Sequence, residues 1–270
     1  ENYNSKNLDL NSIKIITSTG SPLAEESFKY VYENIKQDVH LASIAGGTDL
    51  VGCLVLGNIY SNVYKGEIQG QSLGIDVDVF TEEGKSTCDG EKGELVVKQP
   101  FPSMPVKFWG DDDGQKYYKA YFTRFKNIWH HGDFIERTSN NGFIMRGRSD
   151  ATLNPGGVRI GTSEIYQQVE DIDFITEGLA VGQNYNDDVR VILFVTTKED
   201  QELDKEKIKF IKTRIRNNCS PKHVPALIIR VPEIPRTKSG KVVELAVKKI
   251  INGETINNKE AIANPEVLKY

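Results

Sequence analysis

The pattern of apolar residues changes twice along the chain, and each pattern limits the fold of its own section. Up to residue 66, β-branched runs lead into loops of small residues and helical stretches, as in "IKIITSTGSPL" (13–23), which is typical of α/β structure. From Gln69 onward, "SLGIDVDVF" alternates with period two and "GELVVKQP" follows a turn at "EEGK", which predicts an antiparallel sheet or barrel. After Asp150 a compact α+β pattern takes over. The sequence therefore predicts an α/β and α+β fold with a boundary near Asp150.

The first strand, loop and helix have recognisable limits. Residues Ile13 to Thr17 predict a strand, and Ser21 and Pro22 are typical of the N-cap and the first position of a following helix. "VHLASIAGGTDLVG" predicts a second strand that ends at Gly46 and Gly47. In the last section the predicted helices are 163–173, 205–217 and 242–252, and the predicted strands include "LAVGQ" and "VRVILFVTT".

Charge and composition exclude several classes of function. The formal net charge is −4 and the pI is about 5.7, so the chain lacks the clustered cationic field that nucleic acids and anionic membranes attract. Its cysteines, Cys53, Cys88 and Cys219, are far apart and never spaced as C-x-x-C, which disfavours a disulfide framework or zinc site and indicates a reducing, cytosolic environment. No apolar run approaches the ~20 residues of a membrane span. The chain begins at Glu1 and reads as part of a longer protein.

Two loops that follow predicted strands offer groups for a bound anion. They are "STGSPL" (18–23) and "AGGTD" (45–49). Ligands bind at such loops in open α/β sheets, although either loop could be a plain turn. In the second loop, backbone N–H groups, a Thr hydroxyl and a carboxylate suffice to hold a phosphate and its Mg²⁺.

The segment "HHGDF" (130–134) allows two interpretations. Two histidines and Asp133 could bind a metal, although no further ligands follow at a recognisable spacing. Alternatively, the Asp133 carboxylate could accept hydrogen bonds from both hydroxyls of a ribose, as acidic residues do in nucleotide sites.

The segment "GRSDATLNPGGVRIGTSEI" (147–165) carries Arg148 and Arg159 on either side of a glycine pair. Two cations and a backbone without side chains could converge on an anion. Without a ligand, the same segment would be an exposed linker.

The most cationic short loop, "PRTKSGKVVE" (235–244), does not match a phosphate-binding P-loop. That motif requires Ser or Thr after its lysine, and here Val242 follows Lys241. We therefore predict a flexible basic loop ahead of a helix, able to carry Lys241 into an anionic site. Arg236 and Lys238 need only be surface neighbours.

In combination and order, these motifs resemble the adenylate-forming superfamily, which contains acyl-CoA synthetases, luciferases and peptide-synthetase adenylation domains. The resemblance implies that residues 1–149 are the end of a large AMP-binding domain, with a β-barrel subdomain at about 67–147. Residues 150–270 would be a small mobile domain that rotates about a hinge at Asp150 between two half-reactions. The implied substrates are ATP, a carboxylic acid and CoA, with Mg²⁺.

Residue by residue, the resemblance assigns nucleotide-binding roles to Gly20, Ser21, Pro22, Gly47, Thr48, Asp133, Arg148 and Arg159. Asp133 matches a ribose-binding Asp, and Asp49 stands where the family usually has a Mg²⁺-associated Glu. Lys241 looks like the lysine that catalyses adenylation. Gly156 and Gly157 would leave room for the pantetheine arm of CoA, and Arg216 stands where a CoA-contacting Arg is found.

The resemblance also bears on the acid and on completeness. Acetyl-CoA synthetases, which are members of this family, close the acyl pocket with a Trp where this chain has Gly46, so a larger acid is expected. Ala151 replaces the second acid of the common hinge motif. The loop that grips the β- and γ-phosphates is not found in the sequence, which predicts a C-terminal fragment that is inactive alone. The alternatives are another acyl-CoA synthetase or a truncated, non-catalytic nucleotide-binding product.

Overall fold

The computed structural model describes residues 8–199, 201–256 and 259–270. The chain divides into two compact units, unit 1 (residues 1–146) and unit 2 (residues 147–270). Unit 2 begins three residues before Asp150. That the two units are the two predicted domains stays a prediction.

Unit 1 begins with a small parallel sheet. Strand β1 (Ile15–Ser18) pairs in parallel with β2 (His40–Ser43), and helix α1 (Glu25–Tyr30) with a π-helical turn at Val31–Ile35 connects them. The predicted cap at Ser21 is wrong, because the helix begins at Glu25 with Ala24 as its N-cap. Glu25 and Glu26 in the first turn favour that start, since carboxylates stabilise the positive end of a helix.

Two antiparallel sheets follow in unit 1. The first contains β3 (Ala45–Gly47), β4 (Gly52–Leu56) and β5 (Gly70–Gln71), and the second has the order β6 (Val77–Phe80), β7 (Lys92–Val97), β8 (Trp129–Arg137), β9 (Phe143–Arg148). An isolated bridge connects Ile68, two residues before β5, to Phe143, the first residue of β9. Among the described residues neither sheet closes on itself, so no closed barrel is shown there. All four residues of β6 are buried, because both of its faces are covered despite the alternating sequence.

Unit 2 is a sheet covered by helices. Strand β10 (Ile175–Tyr185) forms a hairpin with β11 (Asp188–Thr197), whose other edge pairs in parallel with β12 (Leu227–Arg230). Asn186 and Asp187 at the turn have φ of 50° and 60°, as a tight two-residue hairpin requires. The helices are α3 (Thr162–Val169), α4 (Lys205–Asn218) and α5 (Glu244–Ile251). The predicted strands and helices of this unit are therefore confirmed, although α3 ends four residues earlier than expected.

The helices of unit 2 bury apolar residues against the sheet. Ile165 of α3 and Ile211 of α4 are fully buried in one cluster with Leu193 of β11. Val247 and Ile251 of α5 pack against a second cluster that contains Leu179. Burial of this kind supplies most of the stability of amphipathic helices. No helix in the part of the chain that the structure describes could cross a membrane.

Gly46 marks the closest approach between β3 and β4. A Cβ atom at this position would lie 2.0 Å from the carbonyl oxygen of Gly52 and 2.6 Å from the Cα of Cys53. A side chain would therefore force the two backbones apart. The absence of a side chain at Gly46 is a requirement of the sheet itself, whatever its effect on an acyl pocket.

We expect Gly46→Ala to lower the free energy of unfolding of unit 1 by about 2 kcal/mol or more, because backbone atoms must move to admit the methyl group. Gly70→Ala on β5 is the matched control, since a Cβ there meets nothing within 4 Å. Urea unfolding followed by tryptophan fluorescence checks this, because Trp109 and Trp129 both lie in unit 1. Equal midpoints for the two variants would contradict the expected clash.

Candidate functional site

A bulge in β8 shapes the site residues of unit 1. Along the β7–β8 ladder, Glu94 pairs with Phe134 but Val96 pairs with His130, so β8 contains two more residues than β7 over this stretch. Gly132, inside the bulge, has a φ of 84°, which glycine adopts without strain. Bulges of this kind redirect side chains next to functional sites.

The bulge places His131 beside Asp133. Both side chains are buried, and His131 Nε2 lies 3.6 Å from Asp133 Oδ2. The indole Nε1 of Trp129 donates a hydrogen bond to His131 Nδ1 at 3.3 Å. Because Nδ1 accepts, the neutral imidazole carries its proton on Nε2, which faces the carboxylate. The His131 ring therefore lies beside the Asp133 carboxylate.

A second contact chain reaches Asp49. The ring of Tyr121 on α2 (Gln115–Tyr121) stacks on Trp129 with centroids 3.6 Å apart, and its hydroxyl donates to Asp49 Oδ2 at 2.5 Å. Gly47 closes the same region, since a Cβ there would lie 3.0 Å from His131 Cε1. The structure thus brings together Gly47, Asp49 and Asp133, which are far apart in sequence. We call Asp49, Tyr121, Trp129, His131 and Asp133 the aromatic relay.

The aromatic relay was mostly missed by sequence reasoning. Only its two carboxylates, Asp49 and Asp133, were singled out. The spacing of Trp129, His131 and Asp133 at alternate positions was the signal for a shared face, and the helix carrying Tyr121 had no signal of its own.

The metal interpretation of "HHGDF" is not supported. The His130 side chain is bonded to Glu94, with His130 Nε2 2.8 Å from Glu94 Oε2. Within the described ranges, no group of three or more His, Cys, Asp or Glu side chains could hold a metal ion. The Asp49 carboxylate has lone pairs beyond the one that Tyr121 uses, which fits a Mg²⁺ bound by one carboxylate, phosphates and water.

The loop at residues 20–22 follows β1, as expected. The ends of β1 and β2 lie at the same edge of the parallel sheet, because Ser18 pairs with Ser43. Gly20 has a φ of 98° and turns the chain away from the strand. Thr48 lies in the turn after β3, and its carbonyl oxygen accepts from the N–H of Val51 at 3.1 Å. The loop at 20–22 therefore lies at the edge where α/β sheets bind ligands. Residues 45–47, expected to be part of a loop, form β3 instead, and Thr48 lies in the turn of the antiparallel pair β3–β4.

In unit 2, both predicted arginines contact residues 149–152. Arg159 donates from Nε to Thr152 Oγ1 at 3.3 Å and from Nη2 to Ser149 O at 3.4 Å, and Arg148 Nη2 lies 3.4 Å from Asp150 Oδ2. A pair of hydrogen bonds between Leu153 and Ile160 at 2.8 and 2.9 Å closes the loop between them.

The glycine pair in that loop has a defined geometry. Gly156 and Gly157 have φ of 57° and 76°, a region that favours glycine. The Gly156 N–H donates to Asp188 Oδ1 at 2.8 Å, and a Cβ at Gly156 would lie 2.0 Å from Lys222 Nζ. Backbone hydrogen bonds from Val189 and Gly156 lower the pKa of Asp188. A surface cavity of about 610 Å³ is lined by Asn154, Gly157 and residues 184–189.

The loop that carries Lys241 is more ordered than a flexible loop implies. Arg236 and Val242 form a β-bridge, and Thr237 Oγ1 accepts from the Lys241 N–H at 3.0 Å. Gly240 turns the chain with a φ of 85°. Lys241 itself is exposed, as is Arg216 in the last turn of α4.

The expectation that Arg236 is only a surface neighbour of Lys241 is wrong. Its Nη1 donates to Gly240 O at 2.6 Å, and its Nη2 pairs with Glu177 on β10. Its backbone N–H donates to Asn264 Oδ1 at 2.9 Å. Arg236 therefore fixes the turn ahead of Lys241 to the sheet and to the C-terminal segment, a role to which planar guanidinium donors are suited.

A buried acid joins α3 to α5. The hydroxyl of Tyr166 donates to Glu244 Oε1 and accepts from the N–H of Ala180 at 3.2 Å. Burial raises the pKa of Glu244 above its ordinary value of 4.5, although hydrogen bonds from Tyr166 and Thr162 oppose the change. Burial, together with the nearby Glu244 carboxylate, also raises the pKa of Tyr166 well above its ordinary value.

Comparisons with known proteins agree with this fold. No protein-family model matches the sequence. A benzoate CoA ligase from Burkholderia xenovorans LB400 is 22% identical and superposes with a TM-score of 0.74, covering 88% of this chain and 46% of that chain. At this identity the likeness shows only that the two chains share a fold.

The more similar proteins are acetoacetyl-CoA synthetases. The enzyme from Rhizobium meliloti is 60% identical over 260 residues, which cover 96% of this chain and 40% of that protein. The solved structure from Streptomyces lividans is 38% identical with a TM-score of 0.89, covering 98% of this chain and 41% of that one. The expected resemblance to acyl-CoA synthetases is confirmed: over 96% of its length the chain is similar to part of an acetoacetyl-CoA synthetase. It spans about 40% of the length of the curated relatives it matches.

The buried pair of Tyr166 and Glu244 generates a pH prediction. A carboxyl whose pKa is raised on folding contributes stability that is fully present below its unfolded pKa, near 4.5, and is lost as the pH rises through its folded pKa. We expect Glu244→Gln, which does not titrate, to gain stability relative to the unsubstituted protein as the pH rises from 4.5 to 7.5.

Urea unfolding followed by circular dichroism at 222 nm measures this difference, because α3, α4 and α5 carry most of the helical signal. The exposed Glu254 provides the control Glu254→Gln. A Glu244→Gln variant whose stability runs parallel to that of the unsubstituted protein at all pH values would contradict the prediction.

Proposed function

We propose that the full protein containing this chain is an AMP-forming acid–thiol ligase that converts acetoacetate and CoA to acetoacetyl-CoA through an acyl-adenylate. The observation that carries the proposal is the similarity to acetoacetyl-CoA synthetases over 96% of the chain. This chain would supply the end of the large domain and the small domain, and would be inactive alone.

In the first half-reaction, unit 1 would hold the nucleotide. Asp133 is buried and lies beside His131, and its carboxylate would accept hydrogen bonds from both ribose hydroxyls. The loops at 20–22 and 46–48 would line the adenine and the α-phosphate. A Mg²⁺ at Asp49 would neutralise phosphate charge, and the hydroxyl of Tyr121 would fix the carboxylate that holds it.

Lys241 would supply a positive charge that stabilises the transition state. A carboxylate that attacks ATP is repelled by the phosphates, and negative charge grows on the α-phosphate during the reaction. An ammonium group between both anions lowers this barrier, most effectively where it is positioned in advance. Arg236 and Thr237 position the lysine by fixing its turn.

In the second half-reaction, the thiol of CoA would attack the acyl carbon of the acyl-adenylate, forming the thioester and releasing AMP. Rotation about Asp150 would remove Lys241 and bring Gly156 and Gly157 to the thiol. Their lack of side chains would leave a path for the pantetheine arm, and the exposed Arg216 would contact the phosphates of CoA.

The preference for acetoacetate over other acids is proposed on two grounds. Gly46 adds no bulk where acetyl-CoA synthetases have an indole, and the run "FPSMPVKFWGDDDGQKYYKAYF" with the terminal "NPEVLKY" favours the acetoacetate enzyme. The corresponding cellular role would be cytosolic lipid and fatty acid metabolism, through utilisation of ketone bodies.

We expect Lys241→Ala to lower the rate of adenylation by the full-length protein by about 10²–10³-fold, because a preorganised charge at the reacting phosphate is lost. Lys238→Ala is the control, because Lys238 lies in the same loop and is predicted to be only a surface neighbour. It should change the rate less than about threefold, as expected for an exposed charge. ATP–pyrophosphate exchange measures both rates. Equal rates for both variants would remove Lys241 from the mechanism.

The proposed acid and the incompleteness of the chain can be checked together. We expect the full-length protein to exchange pyrophosphate faster with acetoacetate than with acetate, since one or two extra groups in a fitted pocket change rates by about 10–200-fold. The 270-residue chain should exchange with neither acid. Robust exchange by the short chain would refute its predicted inactivity, and faster exchange with acetate would refute the substrate.

A further inference from the structure

The linker at the start of unit 2 is held by short-range contacts. Gly147, its first residue, has a φ of 115°, and a Cβ there would lie 2.8 Å from Thr162 Oγ1. Four residues on, the N–H of Ala151 donates to Arg148 O at 3.1 Å and forms a turn. Ala151 is buried, whereas the side chains of Arg148 and Asp150 are about half exposed.

Helix α5 contacts this linker from one side. Lys248 Nζ donates a hydrogen bond to the carbonyl oxygen of Asp150 at 2.8 Å. Glu244 lies one turn earlier on the same face of the helix, bonded to Tyr166, and its carboxyl is affected electrostatically by Asp150 and Arg148. Two successive turns of α5 therefore face residues 148–150.

The bonded atom determines what this contact does. The carbonyl oxygen of Asp150 lies in the rigid peptide plane that also contains the nitrogen of Ala151. Rotation about φ or ψ of Asp150 moves this plane as one body with the rest of unit 2. The bond from Lys248 therefore fixes the peptide after Asp150 to α5 without restricting the two backbone angles of Asp150 itself.

We infer that Lys248 is a positioning residue that clamps the peptide following Asp150 to α5, so that backbone rotation of the linker falls on Asp150, the pivot, and on the residues before it. The inference rests on the proposed function, in which unit 2 rotates between half-reactions. It adds a specific consequence. Since α5 begins three residues after Lys241, the clamp also fixes the distance between the pivot and that lysine.

The first test is hydrogen–deuterium exchange on the 270-residue chain, which requires no activity. Lys248→Met keeps the length of the side chain and removes the donor. We expect the backbone amides of residues 149–153 to exchange about three- to tenfold faster, as suits the loss of one partly exposed, charge-assisted hydrogen bond. Lys248→Arg retains a donor and should restore the slow exchange.

Lys249→Met is the matched control. Lys249 is adjacent on α5, carries the same charge near the same helix end, and makes no side-chain hydrogen bond or ion pair with any residue that the structure describes. Unchanged exchange in Lys248→Met would overturn the clamp. Equal acceleration in Lys249→Met would do the same, because it would indicate general weakening of the helix.

The second test is kinetic and uses the full-length protein. Lys248→Met should lower kcat for CoA thioester formation by about three- to tenfold while changing KM for ATP less than about twofold, because the lysine contacts no substrate. Lys248→Arg should recover most of kcat. The inference would be overturned if the full-length protein is active and Lys248→Met leaves its kcat unchanged. A protein without ligase activity but with the expected exchange change would refute the proposed function and leave the clamp supported.

Discussion

Trp129 is the side chain on which both the core and the candidate site of unit 1 depend. It is 2% exposed and packs edge-on against Phe101 within the main apolar cluster. On its other contacts it stacks on Tyr121 and donates to His131. Aromatic residues with a polar atom can fill a core and still direct a hydrogen bond. One buried ring thus links the packing of the sheet to the surroundings of two carboxylates, Asp49 and Asp133.

The positions of His131 and Asp133 require an interruption of the regular β7–β8 pairing. To turn His131 and Asp133 toward the same region, β8 gives up its register with β7 and includes Gly132 at positive φ. The buried polar groups of the bulge are acceptable only because they bond one another. Unit 2 uses the same logic at Tyr166 and Glu244, where a hydroxyl compensates a carboxyl that burial would otherwise destabilise.

The sequence predicted elements whose patterns are local. Strand β11 and helices α4 and α5 lie where "VRVILFVTT" and the helical periodicity placed them, because each buries one continuous apolar face. The helix start at Glu25 was missed because the sequence does not show how far the loop after β1 extends before the helix begins. Ser21 is the more typical capping residue, but Ala24 occupies the N-cap position. The expected barrel depended on how separate strands close on each other, which no local pattern encodes.

The candidate site was predictable to a similar degree. Chemical groups such as Asp49, Asp133 and Lys241 stand out by type and motif. Tyr121 and Arg236 act through partners that lie 72 and 59 residues away in sequence. Without an indication of those contacts, an aromatic in a helix and a basic residue in a loop look like ordinary surface and packing residues.

The contacts that hold the Lys241 loop limit how Lys241 can move. A bridge, a threonine bond and a guanidinium bond hold its turn, so the lysine cannot travel far by loop flexibility alone. A charge that stabilises a transition state is more effective when its surroundings are already fixed. If Lys241 must leave the site for the second half-reaction, the rigid loop has to move together with the unit that carries it. The necessary freedom then falls on the linker, where a few backbone angles can absorb a large rotation.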